Sequence, residues 1–193
     1  MSIDSVFAFC PLYEQNNVAK ALEIIDFLAE NKIKEFMIIA GFVDGGYTKE
    51  QIANLKQNLR RIVKYAENFG IKIAIENVGK PGYFASEIDN TLDVLKSVKG
   101  LGLVFDNGNF TLSDVDALEA AKKLAPYVTR YHLKDRVYRL QEGALLEKTP
   151  SGKETSVVPV GEGDSYSKQC YNEIIKFYPN VPLVIEFPFT QEN

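Results

Sequence analysis

Apolar positions along the chain alternate between two spacings. Short runs rich in β-branched and aromatic residues, at 6–9, 35–40, 71–76, 101–106, 128–133 and 182–187, have the length and composition of strands. Between them, apolar residues return every three or four positions: Val18, Leu22, Ile25 and Ala29; Ile52, Leu55, Leu59, Ile62, Ala66 and Phe69; Ile88, Leu92, Leu95 and Val98. That period places each set on one helical face. Thr48 and Gln51 have the spacing of a capping box, and Gly70 is placed to end the same helix. Ser113 is expected to cap a helix carrying Val115, Leu118 and Leu124, and a last helix is predicted over 165–177. A strand and its helix together take roughly 30 residues, the length of a parallel crossover. The predicted class is therefore α/β, with about six parallel β/α units. Residues 134–164 interrupt the rhythm with Pro150, Ser151, Gly152, Pro159, Gly161 and Gly163, and are read as a long loop with room for a hairpin.

The strands end on polar residues of a particular kind. Three apolar runs finish on an acid, at Glu76, Asp106 and Glu186, and a fourth ends with His132, the single histidine of the chain. In a parallel sheet these ends share one face, where ligands bind. Converging carboxylates repel one another and need a compensating cation. Three acids and one imidazole suit one divalent metal: Mn²⁺, Mg²⁺ or Co²⁺ by their oxygen-rich set, with Zn²⁺ also compatible. The alternative is that each acid caps a strand or pairs with Lys72, Lys134 or Arg136, and that His132 is structural.

Composition narrows the class further. The chain has 193 residues, 46% hydrophobic and 25% charged, which fits one domain over 1–193 with a sizeable core. Its net charge of −4 comes without a basic stripe, so nucleic acid is not an expected partner. No stretch approaches the roughly 18 apolar residues of a membrane span, and a secretory leader pattern is absent, so a cytoplasmic location is expected. Cys10 and Cys170 lack metal-pair spacing and read as structural thiols. The glycines of 41–46 have the wrong spacing for a dinucleotide fingerprint, and no phosphate-loop lysine motif occurs. Tyr13, Phe42, Tyr47, Tyr83 and Phe110 are read as packing residues.

Ile75-Glu76-Asn77, Phe105-Asp106-Asn107-Gly108-Asn109, His132-Leu-Lys-Asp135, Val160-Gly-Glu-Gly163 and Ile185-Glu186 resemble, in order and strand placement, the sugar-phosphate isomerase and epimerase group of xylose-isomerase-like TIM barrels. The resemblance runs from about Val6 to the C-terminus. It implies that Glu76, Asp106, His132 and Glu186 bind one metal, which chelates adjacent oxygens of a keto sugar and stabilises an enediolate. Glu76 and Glu186 are then the catalytic pair, one removing a proton and the other returning it. Asn109, Asp135 and Arg136 are expected to contact the sugar or polyol substrate. Two features depart from the family pattern: Asn109 stands where relatives have a histidine, and Arg130 points a cation into the barrel without an evident partner. The first strand aligns with the third of the family, so the barrel reads as incomplete and N-terminally short, against about 250 residues for a full one. Its open edges predict a homo-oligomer. A keto-polyol (inosose-type) dehydratase would share the enediolate, and a non-catalytic shortened barrel binding a ligand or partner chain is the second class. The abasic-site endonuclease branch requires a histidine-rich zinc cluster, which one histidine does not supply.

Overall fold

A computed structural model describes residues 3–139 and 146–186. Six parallel strands form a curved half-barrel: β1 (Ser5–Phe9), β2 (Glu35–Ile39), β3 (Lys72–Glu76), β4 (Gly102–Asp106), β5 (Val128–Leu133) and β9 (Leu183–Ile185), in that spatial order. All five pairings are parallel. Helices α1 (Ala19–Glu30), α2 (Lys49–Glu67), α3 (Ile88–Ser97), α4 (Asn107–Leu112), α5 (Ala117–Leu124) and α6 (Ser167–Ile174) supply the connections. The expected alternation is therefore present, with strand boundaries within a residue or two of those predicted; Phe187 lies outside the described residues.

Alternation explains which face is dry. Phe36, Ile38, Ile73, Ile75, Leu103, Phe105 and Tyr131 point from the sheet into one continuous core shared with Leu55, Leu59, Ile62 and Leu95 of the helices. Burying each such side chain contributes on the order of 1.5–3 kcal/mol. α2 begins as its capping box requires: Gln51 N donates to Thr48 Oγ1, and Thr48 N donates to Gln51 Oε1. The opposite, concave face carries a small apolar patch of Met37, Ala74 and Val104 and then polar side chains. Arg130 on this face donates through Nε to Glu35 at 2.6 Å and through Nη2 to Asp4, which supplies the partners the sequence left unassigned.

One irregularity aims the histidine. β5 pairs in step with β4 at Leu103 and Val128, then slips, so that Val104 faces Arg130 and Asp106 faces His132. Thr129 is the extra residue of this bulge. Without it, alternation from the outward-packed Val128 would turn Tyr131 to the concave side and His132 into the helices. Gly102 makes the space: a Cβ there would lie 2.5 Å from Thr129 Cγ2.

Three expectations need correction. Ser113 does not cap the helix that follows; it ends α4, and Asp116 caps α5 by accepting from Glu119 N. The last helix is shorter than 165–177. The segment read as a loop with room for a hairpin builds a three-stranded antiparallel sheet of β6 (Asp135–Val137), β8 (Glu154–Val158) and β7 (Leu146–Lys148). Its strands are short and separated by prolines and glycines, so neither period accumulates enough residues to show in the sequence. Among the described residues β1 and β9 each pair on one side only, leaving Phe7 66% and Ile185 70% exposed.

Candidate metal centre

The C-terminal ends of β3, β4 and β5, with Glu186 just beyond β9, bring four side chains together. One ligand atom from each of Glu76, Asp106, His132 and Glu186 can be chosen so that all four lie within 4.8 Å of one another. Glu76, Asp106 and His132 are buried. The Glu186 side chain is 34% exposed. His132 Nδ1 is 2.8 Å from Glu76 Oε1 and 2.8 Å from Glu186 Oε1, so a single ring nitrogen is shared by two carboxylates.

Asp106 is placed by its neighbours. It caps α4, its Oδ1 accepting from Asn109 N at 2.7 Å. The Asn77 side chain pairs with the Asp106 peptide in both directions, accepting from its N and donating to its O, each at 2.8 Å. Asn109 Nδ2 donates in turn to Asn77 O at 2.9 Å. Asn77 and Asn109 thus clamp the ends of β3 and β4, and only Asp106 Oδ2 is left over. That oxygen is buried and has no hydrogen-bonding partner, although Lys134 Nζ lies 3.0 Å away as an ion pair of poor hydrogen-bond direction.

Lys134, which the sequence offers as a pairing partner for the acids, does pair with two of them, Asp106 and Glu186. Lys72 and Arg136 do not: Lys72 lies over the Tyr178 ring, and Arg136 pairs with Glu147. The charges respond to one another. Burial pushes the Asp106 carboxyl up to about 6, against the lowering effect of Lys134. The His132 hydrogen bond, working against burial, holds Glu186 down at about 2. Burial would lower His132, but its bonds to Glu186 and Glu76 raise it to about 9.

His132 binds its proton more tightly folded than unfolded, so the stabilisation is complete below about 6.5 and is lost as pH rises through 9. Chelator-treated protein should therefore lose on the order of 3 kcal/mol between these limits, read as a falling denaturant midpoint. A flat midpoint would contradict the shared proton.

A cavity of about 700 Å³ borders the cluster at Glu186 and Lys134 and is lined also by Asn109, Arg136 and Glu147 among others. A second, of about 570 Å³, lies on the concave side and is bounded by Phe7, Met37, Glu76, Arg130, His132 and Glu186. Glu186 borders both. Of the substrate-contacting candidates, Asn109 and Arg136 line the first cavity. Arg136 is buried, donates to Thr155 and Glu147, and leaves its Nε without a partner. Asp135 faces elsewhere: its carboxylate accepts from Arg136 N, Gly161 N and Ser165 N. It ties the long connection to the strand end. Phe110 is buried against Phe105, while Tyr13 and Tyr83 pack with Tyr47 and Phe42, so the aromatics are packing residues as expected. Both cysteines are free and buried, and burial pushes Cys170 up to about 12.

The donor set fits a divalent ion. Three carboxylates converge with an imidazole, and a proton holds together two oxygens that a cation would join directly. Among the described residues, no helix is long and apolar enough to cross a membrane.

Known proteins share this fold. The chain is 27% identical over 95 residues to the uncharacterised protein YihM of Escherichia coli (strain K12), across 49% of this chain and 27% of that protein. A structure of IolI protein with a bound zinc atom superposes with a TM-score of 0.78 at 16% identity, over 96% of this chain and 67% of the other. L-ribulose 3-epimerase gives a TM-score of 0.71 at 12% identity, over 97% and 62%. The chain thus spans about a quarter of the curated relative and under two thirds of the epimerase. The description "xylose isomerase-like TIM barrel" matches residues 11–192, and the chain belongs to that family.

Proposed function

We propose that this chain is a divalent-metal-dependent isomerase or epimerase that moves a proton next to the carbonyl of a sugar or polyol derivative. The observation that carries the reading is the convergence of Glu76, Asp106, His132 and Glu186 at the strand ends, between two cavities that Glu186 borders. Mn²⁺, Mg²⁺ or Co²⁺ suits this set, and the zinc of the IolI structure makes Zn²⁺ a fourth candidate. When bound, the ion would supply Lewis-acid polarisation of adjacent substrate oxygens.

The chain's own groups do the rest. Glu76 and Glu186 converge on His132 Nδ1 from different strand ends, and in this reading they flank a substrate carbon, one carboxylate removing a proton and the other returning it. Asn109 and Arg136 line the cavity where the distal part of a substrate would lie, so their side chains are placed to meet its oxygens. A keto-polyol dehydratase would use the same groups for proton removal, so product analysis separates the two.

The deciding measurement is calorimetric titration of chelator-stripped protein with Mn²⁺. One site per chain is expected, weakened at least about tenfold in Glu186→Gln, since a neutral amide replaces a charged ligand. No saturable site in the wild type would reject the metal-dependent reading. Binding without α-proton exchange on any keto sugar would favour a ligand-binding barrel without catalysis.

A further inference from the structure

The acids of the centre are held in part by a cation that belongs to the chain. Lys134 follows His132 by two residues and turns its side chain back into the cluster, where it is 15% exposed. Three consecutive residues of α4 receive it. Asn107 Oδ1 accepts from Lys134 N at 3.2 Å. Gly108 leaves room for the stem, because a Cβ there would come within 2.8 Å of Lys134 Cγ and 2.9 Å of its Cβ. Asn109 Oδ1 accepts from the ammonium at 3.4 Å.

The ammonium then meets one oxygen each of Asp106 and Glu186, with unequal consequences. Glu186 presents Oε1 to His132 and Oε2 to Lys134, so it can ligate through one oxygen and keep the lysine on the other. Asp106 has no such freedom. Its Oδ1 is committed to capping α4, and its Oδ2 is the atom paired with Lys134 Nζ, at 3.0 Å.

Resting on the metal-dependent reading above, we infer that Lys134 is a built-in competitor for the metal. Its ammonium holds Asp106 Oδ2 in the metal-free protein, and a divalent cation must displace it from that oxygen while it keeps Glu186 Oε2. The device answers two demands of this cluster. Without a metal, three carboxylates at close range need positive charge to stay together. With one bound, three negative charges are balanced by the ion's two and the lysine's one, provided His132 is neutral. A cation that binds carboxylates weakly fails to displace the ammonium, so the lysine sets a threshold for metal entry. Once moved off Asp106, the ammonium still faces the 700 Å³ cavity, near Arg136.

A purely structural lysine makes the opposite prediction. If Lys134 only positions Glu186, its removal loosens a ligand and weakens metal binding. If it competes, its removal frees Asp106 Oδ2 and binding tightens. The test titrates Mn²⁺ by calorimetry into the wild-type chain, Lys134→Met and Lys134→Gln after chelator stripping, with the metal-induced rise in Tm measured in parallel. Both variants are expected to bind about tenfold or more tightly than wild type, since a nearby positive charge has been removed, and to show the larger rise in Tm. The Gln variant retains a donor for the acids if the Met variant unfolds without metal. Equal or weaker binding by the variants, with wild type binding normally, overturns the competitor role and leaves the metal centre standing. Absence of binding by wild type and variants alike rejects the metal centre itself.

Discussion

Glu76→Gln should lower solvent exchange of the substrate's α-proton by at least about a hundredfold, the lower range for loss of a positioned acid or base. Glu76 ends a central strand and is buried, and its Oε1 lies 2.8 Å from His132 Nδ1. Glutamine preserves the shape and much of the hydrogen bonding but neither accepts nor returns a proton at neutral pH. The measurement is deuterium incorporation into free and phosphorylated ketopentoses and ketohexoses at saturating Mn²⁺, with occupancy checked by calorimetry. A rate loss well beyond any loss of occupancy assigns Glu76 to proton transfer. A wild-type rate in the saturated variant would remove it from that role and leave it as a ligand alone.

Arg130→Met should destabilise the fold by about 3–5 kcal/mol, the cost of leaving a buried charge without its partner. The side chains of Arg130 and Glu35 are 9% and 7% exposed, and their Nε to Oε2 bond is 2.6 Å. Asp4, at 76% exposed, adds little, because solvent screens it. The double variant Arg130→Met with Glu35→Leu removes both charges and should recover most of the loss, so a denaturation cycle separates the pair from the packing. Full stability in Arg130→Met alone would show that Glu35 escapes to solvent.

Much of this could be read from the chain because it depends on local spacing. The strands are legible to within a residue or two because each is an apolar run bounded by a polar or glycine break, and α2 is legible because its capping box lies within four residues. The same logic found the four converging side chains, since each ends such a run. It failed where contacts are distant or elements short. Ser113 reads as a cap by type, yet α4 starts immediately at Asp106 and uses that serine as its end. Nor does the sequence show that the Asp135 carboxylate accepts from three backbone N–H groups, of the long connection and of its own neighbour.

The sequence by itself determined the parallel α/β alternation, the dry outer face of the sheet, and the arrival of Glu76, Asp106, His132 and Glu186 at one end, because periodicity and strand direction are properties of neighbouring residues. Tertiary structure alone decided the rest. The bulge at Thr129 depends on the space over Gly102 in the adjacent strand and turns His132 inward. The partners of Arg130 come from β2 and the N-terminal segment, far away along the chain. Lys134 enters the acid cluster through the gap above Gly108 in α4. Each depends on which atoms meet across elements that are remote in sequence, and a one-dimensional pattern carries no record of those distances.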